Sequence, residues 1–173
     1  TDERFDYYHR VEERLKFDLQ YFNRITKGGL PPKTLNVALA GTGVGKSLFM
    51  CHVASSMLTQ GRNVLYITLE MAEERIAERI DANLLDCTID ELYEMPKKYY
   101  DSKVKRLQSK VQGQLIIKEY PTAAAHAGHF KSLIDELALK KSFKPDIVFV
   151  DYLNICSSSR FKGGNISSYF YIK

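Results

Sequence analysis

The sequence lacks the cysteine spacing of a disulfide framework. Its 173 residues include three cysteines, Cys51, Cys87 and Cys156, which lie far apart and form no C-x-x-C pair. Isolated cysteines of this kind are typical of free thiols in a reducing compartment. Cys51 and Cys156 lie in or beside apolar stretches, so we expect them to pack in the core rather than to act as nucleophiles.

Long apolar runs, targeting segments and internal repeats are also missing. No stretch stays apolar for the length that a bilayer-spanning helix requires, and no signal-peptide pattern is present. These absences predict a cytosolic protein. His126 and His129 have a spacing that a metal would accept, but no cysteine or carboxylate cluster accompanies them, which favours a structural role.

Neither sign of charge dominates. The formal net charge is +4 and the sequence pI is about 8.8, values that suit a polyanionic partner and an ordinary solvated surface equally well. Basic residues concentrate between positions 97 and 110, where apolar residues recur at helical spacing, so a solvated helix face is favoured over a nucleic-acid patch. These basic residues are Lys97, Lys98, Lys103, Lys105, Arg106 and Lys110.

What is present is a glycine-rich segment between a predicted strand and a predicted helix. Residues 35–39 are apolar and β-prone, and residues 48–58 have a helical pattern. The segment between them approximates the phosphate-binding pattern G-x-x-x-x-G-K-[ST], with Ala40 at the place of the first glycine. Alanine forms the same tight turn if its φ is negative, so the departure is small. A chance Gly-Lys-Ser in a surface loop is the alternative, and the strand–loop–helix order disfavours it.

This segment has the chemistry of nucleoside triphosphate binding. Glycines let the loop curl so that successive backbone N–H groups point at one anion, and the helix start adds unpaired N–H groups. We expect Lys46 to contact the β- and γ-phosphates of ATP and the Ser47 hydroxyl to ligate Mg²⁺. The predicted nucleotide-binding residues are Ala40, Gly41, Thr42, Gly43, Val44, Gly45, Lys46 and Ser47.

Strands and helices alternate after the loop. Mostly apolar segments at 63–69, 114–118 and 146–151 predict buried strands separated by helices, a pattern typical of an α/β fold with a mostly parallel sheet flanked by helices. Ligands of such sheets lie at the carboxyl ends of the strands. Because Glu70 follows one predicted strand and Asp151 ends another, we expect both to lie at the same edge as the glycine-rich loop.

Each of these two acids has a catalytic and a structural interpretation. Asp151 ends a buried apolar strand, as the Walker-B acid that orients Mg²⁺ does; otherwise it is a surface aspartate at a strand end. Glu70 is the candidate general base for the water that attacks the γ-phosphate. On the residues alone, a salt bridge or a place near a helix start explains Glu70 equally well.

Residues 1–22 predict an amphipathic helix ahead of the α/β part, because apolar residues recur at three- and four-residue spacing. The breaker cluster at 27–32 follows it, so we expect a linker helix at 1–26 and the ATPase core at 27–173. The apolar stripe either packs on its own domain or docks on a neighbouring subunit. The stripe consists of Tyr8, Val11, Leu15, Leu19 and Phe22.

Four stretches together resemble the RecA-like motor domain of DnaB-type hexameric replicative helicases, most closely those of T-even bacteriophages. They are residues 22–30, residues 40–47, residues 68–71 (TLEM, where the family has SLEM) and residues 151–154 (DYLN, where many members have DYLQ). The resemblance covers most of the chain, and the combination is more specific than any single motif. It implies a RecA-like P-loop NTPase core.

The resemblance further implies an ATP-dependent replicative DNA helicase. Members of the family use ATP and Mg²⁺ to move 5′→3′ along single-stranded DNA and to unwind duplexes, as homohexameric rings with nucleotide at each subunit interface. Glu70 matches the family's catalytic glutamate, and Asp151 matches its Walker-B acid. A primase and a helicase loader are the implied partners, and the cytoplasm, of the host for a phage protein, is the implied location.

Two more expectations rest on the resemblance. Residues 157–165 fall where some ring helicases place a DNA-facing loop, so Arg160 and Lys162 would contact phosphates there; a disordered surface loop has the same composition. Family members also continue with a γ-phosphate sensor, a DNA-binding loop and an arginine finger, and carry an N-terminal domain that meets primase. We therefore expect a fragment that hydrolyses ATP poorly alone, since loss of an arginine finger lowers the rate by roughly 10³-fold or more.

Two other functions stay open at this point. A RecA-like recombination ATPase would form filaments on DNA, which electron micrographs distinguish from closed rings. A small-molecule kinase would use the same P-loop, but the sequence has no evident acceptor pocket or arginine-rich lid. ATPase activity stimulated by single-stranded DNA would favour the first two functions, and phosphate transfer to a metabolite would favour the third.

Overall fold

The computed structural model describes residues 2–10 and 12–158. Its helices are α1 (Asp2–His9), α2 (Gln20–Ile25), α3 (Lys46–Thr59), α4 (Glu73–Leu84), α5 (Ile89–Glu94), α6 (Lys97–Gln108) and α7 (Ala127–Lys141). Its strands are β1 (Val64–Thr68), β2 (Leu115–Glu119) and β3 (Ile147–Asp151), and a 3₁₀ turn at Leu153–Ile155 follows. Among these residues no helix is long and apolar enough to cross a membrane.

The three strands form a parallel sheet with β1 in the centre, in the order β2-β1-β3. Val64 pairs with Leu115 and Ile147, and four residues later Thr68 pairs with Asp151. All five residues of β1 are buried, as expected for a central parallel strand covered on both faces. The register therefore brings the carboxyl ends of the strands, Asp151 included, to one edge.

Asn63 holds the opposite edge together. Its backbone N–H donates to Asp146 Oδ2 at 2.7 Å, its side-chain oxygen accepts from the N–H of Gln114 at 3.1 Å, and its side-chain amide donates to the carbonyl of Lys144 at 3.1 Å. One residue thus ties together the starts of all three strands.

The two faces of β1 pack against different helices, because alternate side chains of a strand point to opposite faces. Leu65 and Ile67 belong to a buried cluster against which Phe130, Leu133 and Ile134 of α7 pack. On the other face lies α3, whose buried residues run from Met50 to Leu58. Ile76 and Ile80 of α4 are fully buried, and Leu137 of α7 is buried as well.

Several helix boundaries coincide with local sequence signals. The helix after the glycine-rich loop ends at Thr59, just before Gly61, whose φ is +77°. Thr88 forms a capping box with Glu91 at the start of α5, and Pro96 separates α5 from α6. The basic segment forms α6, which buries none of its residues, in agreement with a solvated face.

The strand predicted at residues 35–39 is wrong for the structure described here. These residues have no regular secondary structure, and Leu35, Val37 and Leu39 are 89%, 72% and 95% exposed. A strand is completed by hydrogen bonds to a neighbour, and within residues 2–10 and 12–158 no residue pairs with this run. Apolar, β-prone composition alone does not supply that neighbour.

The continuous N-terminal amphipathic helix is also wrong. The structure has two short helices, α1 and α2, and residues 12–18 between them are not helical. Leu15 exchanges backbone hydrogen bonds of 2.8 and 2.9 Å with Leu30, and the Asn23 side chain binds both backbone groups of Phe17. These bonds use the backbone groups that a helix would need, and short isolated helices are marginal in water. Val11 of the predicted stripe lies outside the described residues.

The described residues up to Val44 form one compact unit, and those from Gly45 onward form a second. We call these the N-terminal and the C-terminal unit. The boundary falls inside the glycine-rich loop.

Candidate functional site

The loop at residues 40–44 ends the N-terminal unit in a turn. Gly43 has a φ of +75°, whereas Ala40 is not among the residues with positive φ. The N–H of Val44 lies 3.4 Å from the carbonyl of Gly41. Alanine at position 40 is therefore compatible with this backbone, as expected from the sequence. Within this turn it is Gly43 whose positive φ favours glycine.

The C-terminal unit begins at the start of α3. Gly45 is the N-cap residue, with a φ of +102° and no side-chain capping bond, and its carbonyl accepts from the N–H of Phe49 at 2.9 Å. Lys46 and Ser47 are the first two residues of the helix. N–H groups of a first helical turn have no acceptor within the helix, so this end suits an anion.

Asp151, at the end of β3, is the buried centre of the site. Only 1% of its side chain is exposed, and its Oδ1 lies 3.2 Å from Nζ of Lys46, whose side chain is 21% exposed. Its Oδ2 accepts a hydrogen bond of 3.0 Å from the Tyr66 hydroxyl. Oδ1 accepts no hydrogen bond in the described part of the chain. Its contact with Lys46 is therefore an ion pair between two opposite charges and not a hydrogen bond.

Two tyrosines that the sequence analysis missed complete these contacts. The Lys46 ammonium lies 3.7 Å from the ring centroid of Tyr152, within the range of a cation–π interaction; the peptide bond between Asp151 and Tyr152 is cis. Tyr66 lies in the middle of β1. A phenol among the buried apolar residues Val64, Leu65 and Ile67 was the available signal, since a buried hydroxyl requires a polar partner.

Burial keeps the Cys51 thiol and the Tyr66 phenol, which lie near Asp151, in their neutral forms. It raises the pKa of the Cys51 thiol to about 11. Burial first, and then the neighbouring Cys51 and Asp151, raise the pKa of Tyr66 well above its usual value. Both groups therefore stay protonated at neutral pH, and Tyr66 is a hydrogen-bond donor to the carboxylate.

Glu70 lies at the same sheet edge, two residues after β1. The N–H of Leu69 donates to the carbonyl of Asp151 at 2.8 Å, and the Thr122 hydroxyl donates to the carbonyl of Leu69 at 3.0 Å. These bonds fix the backbone just before Glu70 beside the end of β3. The side chain of Glu70 is exposed, which leaves it accessible to a ligand from solvent.

The arrangement fits a magnesium ion that completes its shell with water and phosphate. Mg²⁺ usually takes one or two carboxylates from the protein and its other ligands from water and substrate. The buried Oδ1 of Asp151, which accepts no hydrogen bond, is a suitable ligand atom, and Ser47 stands at the start of α3 in the same unit. No group of three or more metal-binding side chains occurs among the residues that the structure describes.

Two site predictions remain, the structural role of His126 and His129 and the DNA contacts of Arg160 and Lys162. His126 Nδ1 accepts from the N–H of Gly128, and His129 Nδ1 accepts from the N–H of His126, so both histidines cap α7. Their structural interpretation is thereby supported. Arg160 and Lys162, the predicted DNA contacts, lie outside the described residues.

Comparison with known proteins supplies the family. The family model of the DnaB-like helicase C terminal domain matches residues 15–168. The chain is 46% identical over 169 residues to a protein named DnaB-like replicative helicase from Enterobacteria phage T4, covering 96% of this chain and 36% of that protein. It is 26% identical over 164 residues to a protein named probable plasmid replicative DNA helicase from Chlamydia psittaci, covering 88% of this chain and 35% of that protein.

The chain thus spans about a third of the length of these curated relatives. The RecA-like α/β class predicted from the sequence is confirmed, since a parallel sheet between helices agrees with the fold of the matched domain. With a family model that extends over most of its residues, the chain belongs to the DnaB-like family of replicative DNA helicases, in the region of the C-terminal helicase domain.

Proposed function

We propose that this chain is the ATP-hydrolysing motor of a replicative DNA helicase. The observation that carries the proposal is the ion pair between Lys46, at the start of α3, and the buried Asp151, at the end of β3. A lysine at a helix start after a glycine-rich loop, facing an acid at a strand end, is the arrangement that P-loop NTPases use for a triphosphate and its metal. Membership of the family supports a helicase over a filament-forming recombinase or a small-molecule kinase.

The phosphates of ATP would bind at residues 40–47. Backbone N–H groups of the loop and of the first turn of α3 donate to phosphate oxygens, and Lys46 adds a positive charge at the β- and γ-phosphates. In the structure Lys46 lies against Asp151 and the Tyr152 ring. Binding of ATP therefore requires the ammonium to exchange part of these contacts for phosphate oxygens.

Ser47 and Asp151 are the residues that would hold Mg²⁺. When bound, the ion neutralises charge on the β- and γ-phosphate oxygens. The protein's part is to present one hydroxyl and one fixed carboxylate oxygen. Burial of Asp151 and its hydrogen bond from Tyr66 restrict the carboxylate to one orientation.

Glu70 is the proposed catalytic base. A carboxylate that follows β1, at the edge shared with Asp151, is suited to orient the attacking water and to accept its proton. Its exposure leaves room for water and γ-phosphate beside it. The match of residues 68–71 to the family motif supports this role.

The wider activity follows from the family and from the names of the relatives. We infer that ATP hydrolysis drives 5′→3′ movement along single-stranded DNA by a homohexameric ring, with a primase and a helicase loader as partners in the cytoplasm. Arg160 and Lys162 are proposed to contact DNA phosphates. Residues 1–26 are proposed to link the ATPase core at 27–173 to the rest of the ring.

The test of the proposal uses the full-length protein. ATPase rate is measured with and without single-stranded DNA, and mass in solution is measured with ATP and Mg²⁺. Stimulation by DNA together with a hexameric mass supports the proposal. Open filaments on DNA would indicate a recombinase, and phosphate transfer to a metabolite would indicate a kinase; either result would overturn it.

The role of Glu70 has its own test. Glu70→Gln keeps size and polarity but removes the base, so hydrolysis should fall by about 10²–10⁴-fold while affinity for ATP stays unchanged. Glu74→Gln, on an exposed residue at the start of α4, is the matched control and should hydrolyse ATP at the wild-type rate. Loss of ATP binding in Glu70→Gln would contradict a role confined to water activation.

A further inference from the structure

Tyr66 is buried in the centre of the sheet with its hydroxyl turned to the site. It has no exposed surface, and its ring stacks on Phe149 of the neighbouring strand with centroids 5.5 Å apart and an interplanar angle of 18°. Phenylalanine would make the same stack. The packing of the strand therefore does not account for the hydroxyl, whose burial without partners would be unfavourable.

The hydroxyl has polar neighbours on two sides. It donates to Oδ2 of Asp151 at 3.0 Å, and the Cys51 thiol points at the phenol oxygen from α3 at 4.0 Å. Because the thiol is the donor in that weak contact, the phenol proton is directed to the carboxylate. Cys51, Tyr66 and Asp151 thus form a short buried chain of donors that ends on one carboxylate oxygen.

The two oxygens of Asp151 consequently differ. Oδ2 is taken by Tyr66, while Oδ1 accepts no hydrogen bond within the described residues and lies 3.2 Å from Nζ of Lys46. Rotation of the carboxylate would break the bond from Tyr66 and leave a buried hydroxyl without its acceptor. The hydroxyl therefore keeps Oδ1 on the side of Lys46 and the start of α3.

We propose that Tyr66 is a positioning residue for the metal of this site: its hydroxyl fixes the Asp151 carboxylate so that Oδ1 faces the bound Mg²⁺-nucleotide. This inference rests on the proposed function, because it requires Asp151 to be a metal ligand. It adds a residue outside the loop and acid motifs. A partner that orients a ligating carboxylate typically contributes about 10–100-fold to metal affinity or activity.

The test measures metal binding directly in the full-length protein. Mn²⁺ replaces Mg²⁺ because both prefer oxygen ligands, and electron paramagnetic resonance follows its binding to the ADP complex. Tyr66→Phe removes only the hydroxyl and should weaken Mn²⁺ binding by about tenfold or more. Affinity for ADP without metal should stay within about twofold of wild type, since the Tyr66 hydroxyl bonds Asp151 rather than the proposed phosphate-binding residues 40–47.

Tyr120→Phe is the matched control. The side chain of Tyr120 packs with Phe130 on the face of the sheet that carries Leu65 and Ile67, opposite the face of Tyr66, so its loss of a hydroxyl should leave Mn²⁺ affinity unchanged. A double mutant adds a second readout: in an Asp151→Asn background, Tyr66→Phe should cause no further loss of Mn²⁺ binding, because the oriented ligand is already gone.

The outcomes separate the two proposals. If Tyr66→Phe binds Mn²⁺ as wild type does, or loses stability in urea without losing metal affinity, the hydroxyl has only a structural role and the inference is wrong while the proposed function stands. If the wild-type protein itself binds nucleotide with no dependence on metal, the proposed function fails first, and the role of Tyr66 fails with it.

Discussion

Residues 64–68 and residues 35–39 are apolar runs of equal length, and each leads into a part of the candidate site. The first run, β1, has a parallel neighbour on both sides and no exposed residue, and it continues to Glu70. The second run continues to the glycine-rich loop, yet it pairs with no described residue and exposes its three large apolar side chains. Only the first run is a strand.

The difference shows that an apolar, β-prone composition does not make a strand by itself, since a strand also needs a neighbouring strand for its backbone hydrogen bonds. β1 is bracketed at its start by Asn63 and held at its end by the bond between Leu69 and Asp151. Exposed apolar groups contribute nothing to stability until something covers them. We therefore expect replacement of leucine by alanine to lower stability in residues 64–68 and to have little effect in residues 35–39.

The largest expected effect concerns packing. Leu65→Ala removes a fully buried side chain from β1 and should lower the free energy of unfolding by about 2–5 kcal/mol. Leu39→Ala, at a side chain that is 95% exposed, should change it by less than about 0.5 kcal/mol. Urea denaturation of both variants provides the comparison. Equal losses would mean that residues 35–39 are buried in the protein in solution, and the contrast would be wrong.

The next effect concerns the nucleotide site. Lys46→Ala removes the cation at the start of α3. It should weaken ATP binding by about 10–100-fold, because a hydrogen bond to a charged group contributes about 1.5–3 kcal/mol. Turnover of ATP should be lost as well. Lys33→Ala, just ahead of the unpaired run, is the control and should bind ATP as wild type does. Titration with a fluorescent ATP analogue measures both. Equal weakening by the two variants would contradict the assignment of the site to Lys46.

The smallest effect separates two glycines of the loop. Gly45→Ala places a side chain at a φ of +102° and should destabilise the protein by about 1–2 kcal/mol. Gly41 does not have positive φ, and a Cβ there would meet only Val44 Cγ2 at 3.6 Å, so Gly41→Ala should cost less than about 0.5 kcal/mol. Thermal unfolding without nucleotide measures both. A larger loss for Gly41→Ala would show that the turn at residues 40–44 is more constrained than its backbone indicates.

Much of the C-terminal unit could be predicted from local patterns. Central strands of parallel sheets are continuous apolar runs, so β1 and β3 were recognisable, and Thr88, Pro96 and Gly61 mark helix boundaries through capping and backbone conformation. The N-terminal helix could not be predicted in this way. Its apolar spacing is helical, but the backbone pairing of Leu15 with Leu30 joins residues far apart in sequence, and no periodicity records such a contact.

The candidate site divides in the same manner. Lys46, Glu70 and Asp151 could be identified from sequence. Triphosphate binding needs a lysine at a helix start and acids at strand ends, and the order of these elements can be read along the chain. The hydrogen bond between Tyr66 and Asp151 could not be predicted from sequence, because the two residues lie 85 positions apart in the chain.

Sequence alone therefore determined which groups could act, the α/β class and the parallel direction of the strands, since these depend on local propensity and on the order of elements. Tertiary structure alone decided which apolar run has a neighbour, which oxygen of Asp151 is held by Tyr66, and which remains beside Lys46. Those outcomes depend on distances between atoms of separate elements, which packing establishes and a linear pattern does not contain.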